Sequence, residues 1–152
     1  MPARRPLPLL VAALIGVLAA GPRALAAGDG NPQDILVIAN TALPLSTVSM
    51  GELRNIFLKK KSAWHTGASA LPVHAQENTV LRKQFRDRLL QMSATAEREY
   101  WKNAKIKQAL MEPPDFANTL KAVFKLRGAV SYVFRSDYKD GVAKIVMVLP
   151  AS

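Results

Sequence analysis

The sequence predicts an α/β domain, a small mixed sheet with helices on its faces. Three observations point there. Apolar runs of strand length alternate along the chain with segments whose apolar residues recur at helical spacing. The run 35–39 (Ile-Leu-Val-Ile-Ala) is continuously apolar, which suits a strand covered on both faces. Residues 71–90 combine the two patterns, with a short apolar strand, a tight loop and the first turns of a helix.

The amino-terminal residues form a different kind of segment. Arg4 and Arg5 precede an apolar stretch over residues 7–20, Gly21-Pro22 breaks it, and Ala24-Leu25-Ala26 is a small-x-small cleavage site. Residues 1–26 are therefore expected to be a signal peptide, and residues 27–152 the exported domain, placed in the periplasm. The whole chain carries +10; the leader holds three arginines and no acid, so the remaining 126 residues carry +7. That charge attracts phosphate, acidic polysaccharide, lipid head groups or nucleic acid without choosing among them. The absence of cysteine excludes a disulfide framework, a thiol nucleophile and a lipidated cysteine after the leader.

Along the exported part, residues 27–33 read as loose, 34–40 as a strand and 41–47 as a connector containing Pro44. Ser49 and Glu52 predict a capping box, with Val48 and Leu53 at the staple positions. Leu53, Ile56 and Phe57 supply that helix's buried stripe, and Lys59, Lys60 and Lys61 complement its negative end. Trp64, followed by Gly67, is expected as a plug over the core, and His74 as a packed residue at a strand end. From Thr79 the stripe Leu81, Phe85, Leu89 and Met92 predicts a helix with Arg82, Lys83, Arg86 and Asp87 on its other side. Ser93 or Thr95 caps a shorter helix carrying Tyr100 and Trp101, and Pro113-Pro114 stops the segment after it. Asp115 caps a helix with Phe116, Leu120, Val123 and Phe124 at helical spacing, ended by Gly128 as left-handed terminator. Strands over 129–134 and 143–149 flank a polar turn, like a closing hairpin.

Catalytic constellations are not visible. His65 and His74 are the two histidines, without metal-ligand spacing, and the chain has no Gly-x-Ser-x-Gly elbow and no Walker loop. Glu97 and Glu99, like Asp137 and Asp140, pair by spacing alone in polar surroundings. No enzyme activity, cofactor or metal is expected.

In order, the chain presents 35–40, Pro44 and a Ser-x-x-Glu-Leu helix, then Ile56-Phe57-Leu58 with lysines, Trp64, Gly67 and Leu71-Pro72-Val73. Residues 81–85, Tyr100-Trp101, Pro113-Pro114 and Gly128-Ala129-Val130-Ser131-Tyr132-Val133 follow. This ordered set resembles the phosphate-type substrate-binding proteins of ABC transporters, across nearly all of residues 27–152 but for only one of that family's two lobes. The resemblance implies a single-lobe, type 2 periplasmic-binding-like domain with α-β-α layering. It also implies phosphate or a related oxyanion as ligand, in transport or sensing.

In the family, the loop from strand to helix is an Arg-Ser-x-Gly-Ser-Gly-Thr type segment that holds phosphate oxygens. The matching stretch here is His74-Ala75-Gln76-Glu77-Asn78-Thr79, which has neither the arginine, the serines nor the glycines, and places Glu77 where a ligand would approach. The candidate ligand-binding residues are Gln76, Asn78 and Thr79, with Arg82 as charge partner. Thr41, Ser46 and Thr47 of the connector are expected to face the same cleft. The expected partners are a small oxyanion and a transporter membrane component or another envelope protein; dimerisation would rebuild a two-lobed cleft. Nucleic acid is not expected. The competing reading is an envelope interaction domain that keeps the fold without the ligand, meeting a protein or anionic polymer through its basic surface.

Overall fold

The computed structural model describes residues 29–104 and 110–152. The expected signal peptide at 1–26 and part of the segment before Pro113-Pro114 lie outside the described residues. In chain order the elements are β1 (Ile35–Ala39), α1 (Met50–Phe57), β2 (Leu71–Pro72) and α2 (Val80–Phe85), which runs on as a π-helical turn (Arg86–Leu90). Then come α3 (Ala94–Asn103), α4 (Phe116–Lys125), β3 (Ala129–Phe134), a 3-10 turn (Arg135–Asp137) and β4 (Lys144–Leu149).

The mixed α/β sheet is present, in the order β2-β3-β1-β4. β1 runs antiparallel to both neighbours, whereas β2 is parallel to β3. Every residue of β1 is fully buried because the strand is central and helices cover both faces. On one face Ile35, Val37, Ala39, Val130 and Tyr132 pack with Leu53, Ile56 and Phe57 of α1 and with Phe85 and Leu89. On the other, Leu36, Ile38, Ala129 and Val133 pack with Val123 of α4. Period-two alternation along β1 and β3 thus sends side chains into two separate cores.

Several expectations are corrected. β3 and β4 do not form a hairpin; β1 lies between them, so the polar turn bridges a strand rather than closing a pair. In the capping box, Ser49 Oγ accepts from Glu52 N at 3.1 Å, but the Glu52 carboxylate turns to Lys61 Nζ (3.1 Å) and His65 N (2.6 Å). Phe124 is 68% exposed, and α4 buries Thr119 and Val123 instead. Trp64 is buried as a core plug, and His74 is fully buried with Nε2 3.2 Å from Phe57 O.

Gly128 does not terminate α4 in the left-handed region; Leu126, in extended conformation, ends that helix. Its smallness serves a close approach between chains entering β2 and β3, because a Cβ there would stand 2.3 Å from the Ser69 carbonyl oxygen. Both partners are backbone, so neither can swing away. Gly128→Ala is expected to cost about 1–3 kcal/mol, read as a lowered urea midpoint. An unchanged midpoint would show that the two chains can separate freely.

Candidate functional site

The site is built where β2 hands over to α2. Beyond Pro72, Val73 N still donates to Val130 O (2.8 Å), His74 N to Met111 O (2.8 Å) and Ala75 N to Tyr132 Oη (3.0 Å). The chain then leaves the sheet through Gln76, Glu77 and Asn78, all exposed. Thr79 ends the loop. Its hydroxyl donates to Gln76 O (2.7 Å) and accepts from Arg82 N (3.2 Å), the bond of an N-cap.

An open groove of about 490 Å³ lies beside this loop, lined by Gln76, Glu77, Asn78, Arg86, Ala94 and Glu112. A smaller, largely apolar pocket of about 160 Å³ adjoins it, with Thr79, Leu81, Pro113, Phe116 and Tyr132 among its walls. Of the predicted site residues, Gln76 and Asn78 reach the groove, Gln76 lines both spaces, and Thr79 lines the apolar pocket.

Arg82 is neither solvated nor turned toward the groove. It is 2% exposed and donates to Glu97 Oε1 (2.5 Å), Ala75 O (2.9 Å) and Glu112 Oε1 (3.2 Å). Arg86, also buried, donates through Nε to the other Glu97 oxygen, and Trp101 Nε1 donates to Glu97 Oε1 at 3.2 Å. Glu97 is therefore a buried carboxylate held by two guanidinium groups and an indole. Burial pushes its carboxyl up, but the hydrogen bonds from Arg86 and Arg82 outweigh that and hold it down at about 2.

The buried stripe of the helix explains this placement. It runs Arg82, Phe85, Arg86, Leu89, with spacings of three, one and three residues, and Leu81 is only half-buried. Apolar spacing alone places the two arginines on the solvent side of this helix. Glu97, Arg86 and Glu112 were missed as members of the site. The available signal was the i, i+4 spacing of Arg82 and Arg86 on the stripe that also carries Phe85.

Thr41, Ser46 and Thr47 are exposed and lie on the connector after β1. β1 ends beside the start of β3 (Ala39 opposite Val130), whereas β2 runs parallel to β3. The two loops thus leave the sheet at opposite ends and do not share a cleft. At the connector's end, Asn40 Nδ2 donates to Val123 O and Phe124 O, both at 2.9 Å, and Lys144 Nζ donates to Leu43 O at 2.7 Å. These contacts tie the connector to α4 and β4.

Among the described residues no group of three or more His, Cys, Asp or Glu side chains is placed to hold a metal ion. The groove presents the amides of Gln76 and Asn78, the Arg86 guanidinium and the carboxylates of Glu77 and Glu112.

No family model matches the sequence, and no curated protein matches it. Solved structures do resemble it. A putative phosphate ABC transporter substrate-binding protein from Clostridium perfringens, with bound phosphate, superposes with a TM-score of 0.58 at 16% identity, over 76% of this chain and 45% of that one. An ABC-type phosphate transport receptor from Vibrio cholerae gives 0.59 at 12% identity, over 76% and 47%. A possible phosphate binding protein from Planctomyces limnophilus gives 0.55 at 13% identity, over 77% and 42%. The matched region spans less than half the length of each of these proteins. The chain has the mixed α/β fold of part of these periplasmic-binding-like proteins.

Proposed function

We propose that this protein is a non-enzymatic solute-binding domain that holds phosphate or a related small oxyanion, in connection with ABC-type phosphate transport or sensing. The observation that carries the reading is the groove at the loop after β2. Gln76 and Asn78 provide amide donors, and Arg86 presents a guanidinium at its wall. The fold shared with phosphate-binding proteins supports the same ligand class. The signal-peptide pattern in residues 1–26 supports a periplasmic location, and the groove's openness supports completion by another surface, a transporter membrane component or a second copy of the chain. Glu77 and Glu112 also line the groove and disfavour highly charged ligands.

Calorimetric titration of the protein with phosphate, sulfate serving as control, tests the reading. Saturable heat is expected, weakened at least tenfold, about 1.4 kcal/mol, when Gln76→Ala and Asn78→Ala are combined. Both side chains are exposed, so the double variant keeps its fold. A folded protein that gives no heat up to millimolar phosphate would overturn it.

A further inference from the structure

Glu97 is the one fully buried residue of α3, and it is a charged one. The rest of the helix is exposed or half-buried: Tyr100 donates to Leu58 O at 2.6 Å and Trp101 donates to Glu97 itself. A helix anchored through an apolar stripe resists lifting because water must return to that stripe. Here the anchor is a carboxylate lodged between two guanidinium groups, a contact that another oxyanion can reproduce bond for bond.

The geometry has the features of a receptor. Arg82 and Arg86 stand one helical turn apart and direct separate donors at the two oxygens of a single carboxylate. The hydrogen-bonding capacity is not exhausted, because the buried Nε of Arg82 has no partner among the described residues. Arg86 touches Glu97 on one side and lines the 490 Å³ groove on the other, so the groove leads to the carboxylate's position. Ala94, at the start of α3, forms part of that groove's wall, and displacement of the helix start would join the two spaces.

We propose that Arg82 and Arg86 form an oxyanion seat which the chain's own Glu97 fills in this conformation, and that a singly charged oxyanion takes the seat by displacing Glu97. The single charge follows from balance. With Glu97 gone, two guanidinium groups face one remaining carboxylate, Glu112, so one negative charge restores neutrality and two exceed it. A carboxylate and monobasic phosphate share this chemistry. The inference rests on the oxyanion reading of the groove and adds that affinity is set by competition with an internal ligand.

The test compares wild type, Glu97→Gln and Glu97→Ala. Each is titrated with phosphate by calorimetry, and each is melted in phosphate, acetate or chloride at equal ionic strength. Glu97→Gln is expected to bind phosphate at least tenfold more tightly than wild type, since a neutral amide competes weakly. The Tm of Glu97→Ala is expected to rise in phosphate or acetate above its value in chloride; the larger rise identifies the preferred oxyanion. If Glu97→Ala folds only in one of these oxyanions, that is the same result. Equal phosphate affinity in wild type and Glu97→Gln would overturn the internal competition and leave the groove reading intact. Binding by Glu97→Gln alone would support the seat and overturn the groove reading for wild type. Variants that neither bind phosphate nor gain oxyanion-specific stability would overturn the seat.

Discussion

Glu97→Ala is expected to destabilise the protein in chloride buffer by about 3–5 kcal/mol, the cost of removing one partner from a buried ion pair. The substitution leaves Arg82 and Arg86, 2% and 4% exposed, without the carboxylate that both of them hold. Arg82 keeps Ala75 O and Glu112, but Glu112 is a third exposed and screened by water. Domains of this size have about 5–15 kcal/mol in total, so the variant sits near the folding threshold. Urea unfolding reads the effect as a midpoint lowered by about 1–3 M. The combined variant Arg82→Met, Arg86→Leu, Glu97→Leu is expected to recover most of the loss, because burying three apolar side chains avoids the desolvation of three charges. A loss below about 1 kcal/mol in Glu97→Ala would mean that the arginines reach water without cost and that the triad is not closed.

Acid is expected to lower the protein's stability in two overlapping stages, with His74 responsible for the first. Burial holds the His74 imidazole far below its ordinary 6.5, at about 3, and the nearby Arg82 charge adds to the effect. Between those values the unfolded chain binds a proton that the folded chain does not, so stability rises with pH across that window. The contribution is complete above 6.5 and lost as pH falls toward 3. Glu97 behaves in the same sense between 4.5 and about 2. Each group adds a slope of about 1.4 kcal/mol per pH unit inside its window, so the histidine alone removes about 3 kcal/mol between neutrality and pH 4. Urea midpoints measured at intervals of half a pH unit check this. His74→Gln is expected to flatten the slope above pH 4.5 and to leave, between pH 4.5 and 3, only the part that carboxylates such as Glu97 contribute. A variant with the wild-type slope above pH 4.5 would assign the first stage to another group.

The candidate site was partly legible before folding. Gln76 and Asn78 were named from their place between a strand and a helix, and they line the groove. Thr79 was named for the same reason, and its hydroxyl is engaged as a helix cap. A charged residue on an amphipathic helix normally faces water, so the sequence points Arg82 at solvent or ligand. Its true partner, Glu97, is fifteen residues away on another helix, in a segment that reads as polar surface. Local periodicity carries no information about such a pairing. Thr41, Ser46 and Thr47 failed to join the loop for a topological reason: strand direction within the sheet decides at which end a loop emerges.

The element classes are written in the sequence: the buried central strand, the helix starts at Ser49 and Asp115, and the alternation that makes an α/β sandwich, whereas the choice of Ser93 over Thr95 and of Thr79 over Asn78 as helix caps came with the fold. These follow from apolar spacing and side-chain capping, interactions that span a few residues. The tertiary structure alone decided that β1 separates β3 from β4, that Gly128 serves a backbone approach, and that two arginines turn inward onto Glu97. Each of these depends on groups distant in sequence. For the arginines the reason is electrostatic: a guanidinium is driven out to water unless a carboxylate meets it inside, and only the folded chain brings that carboxylate to the place.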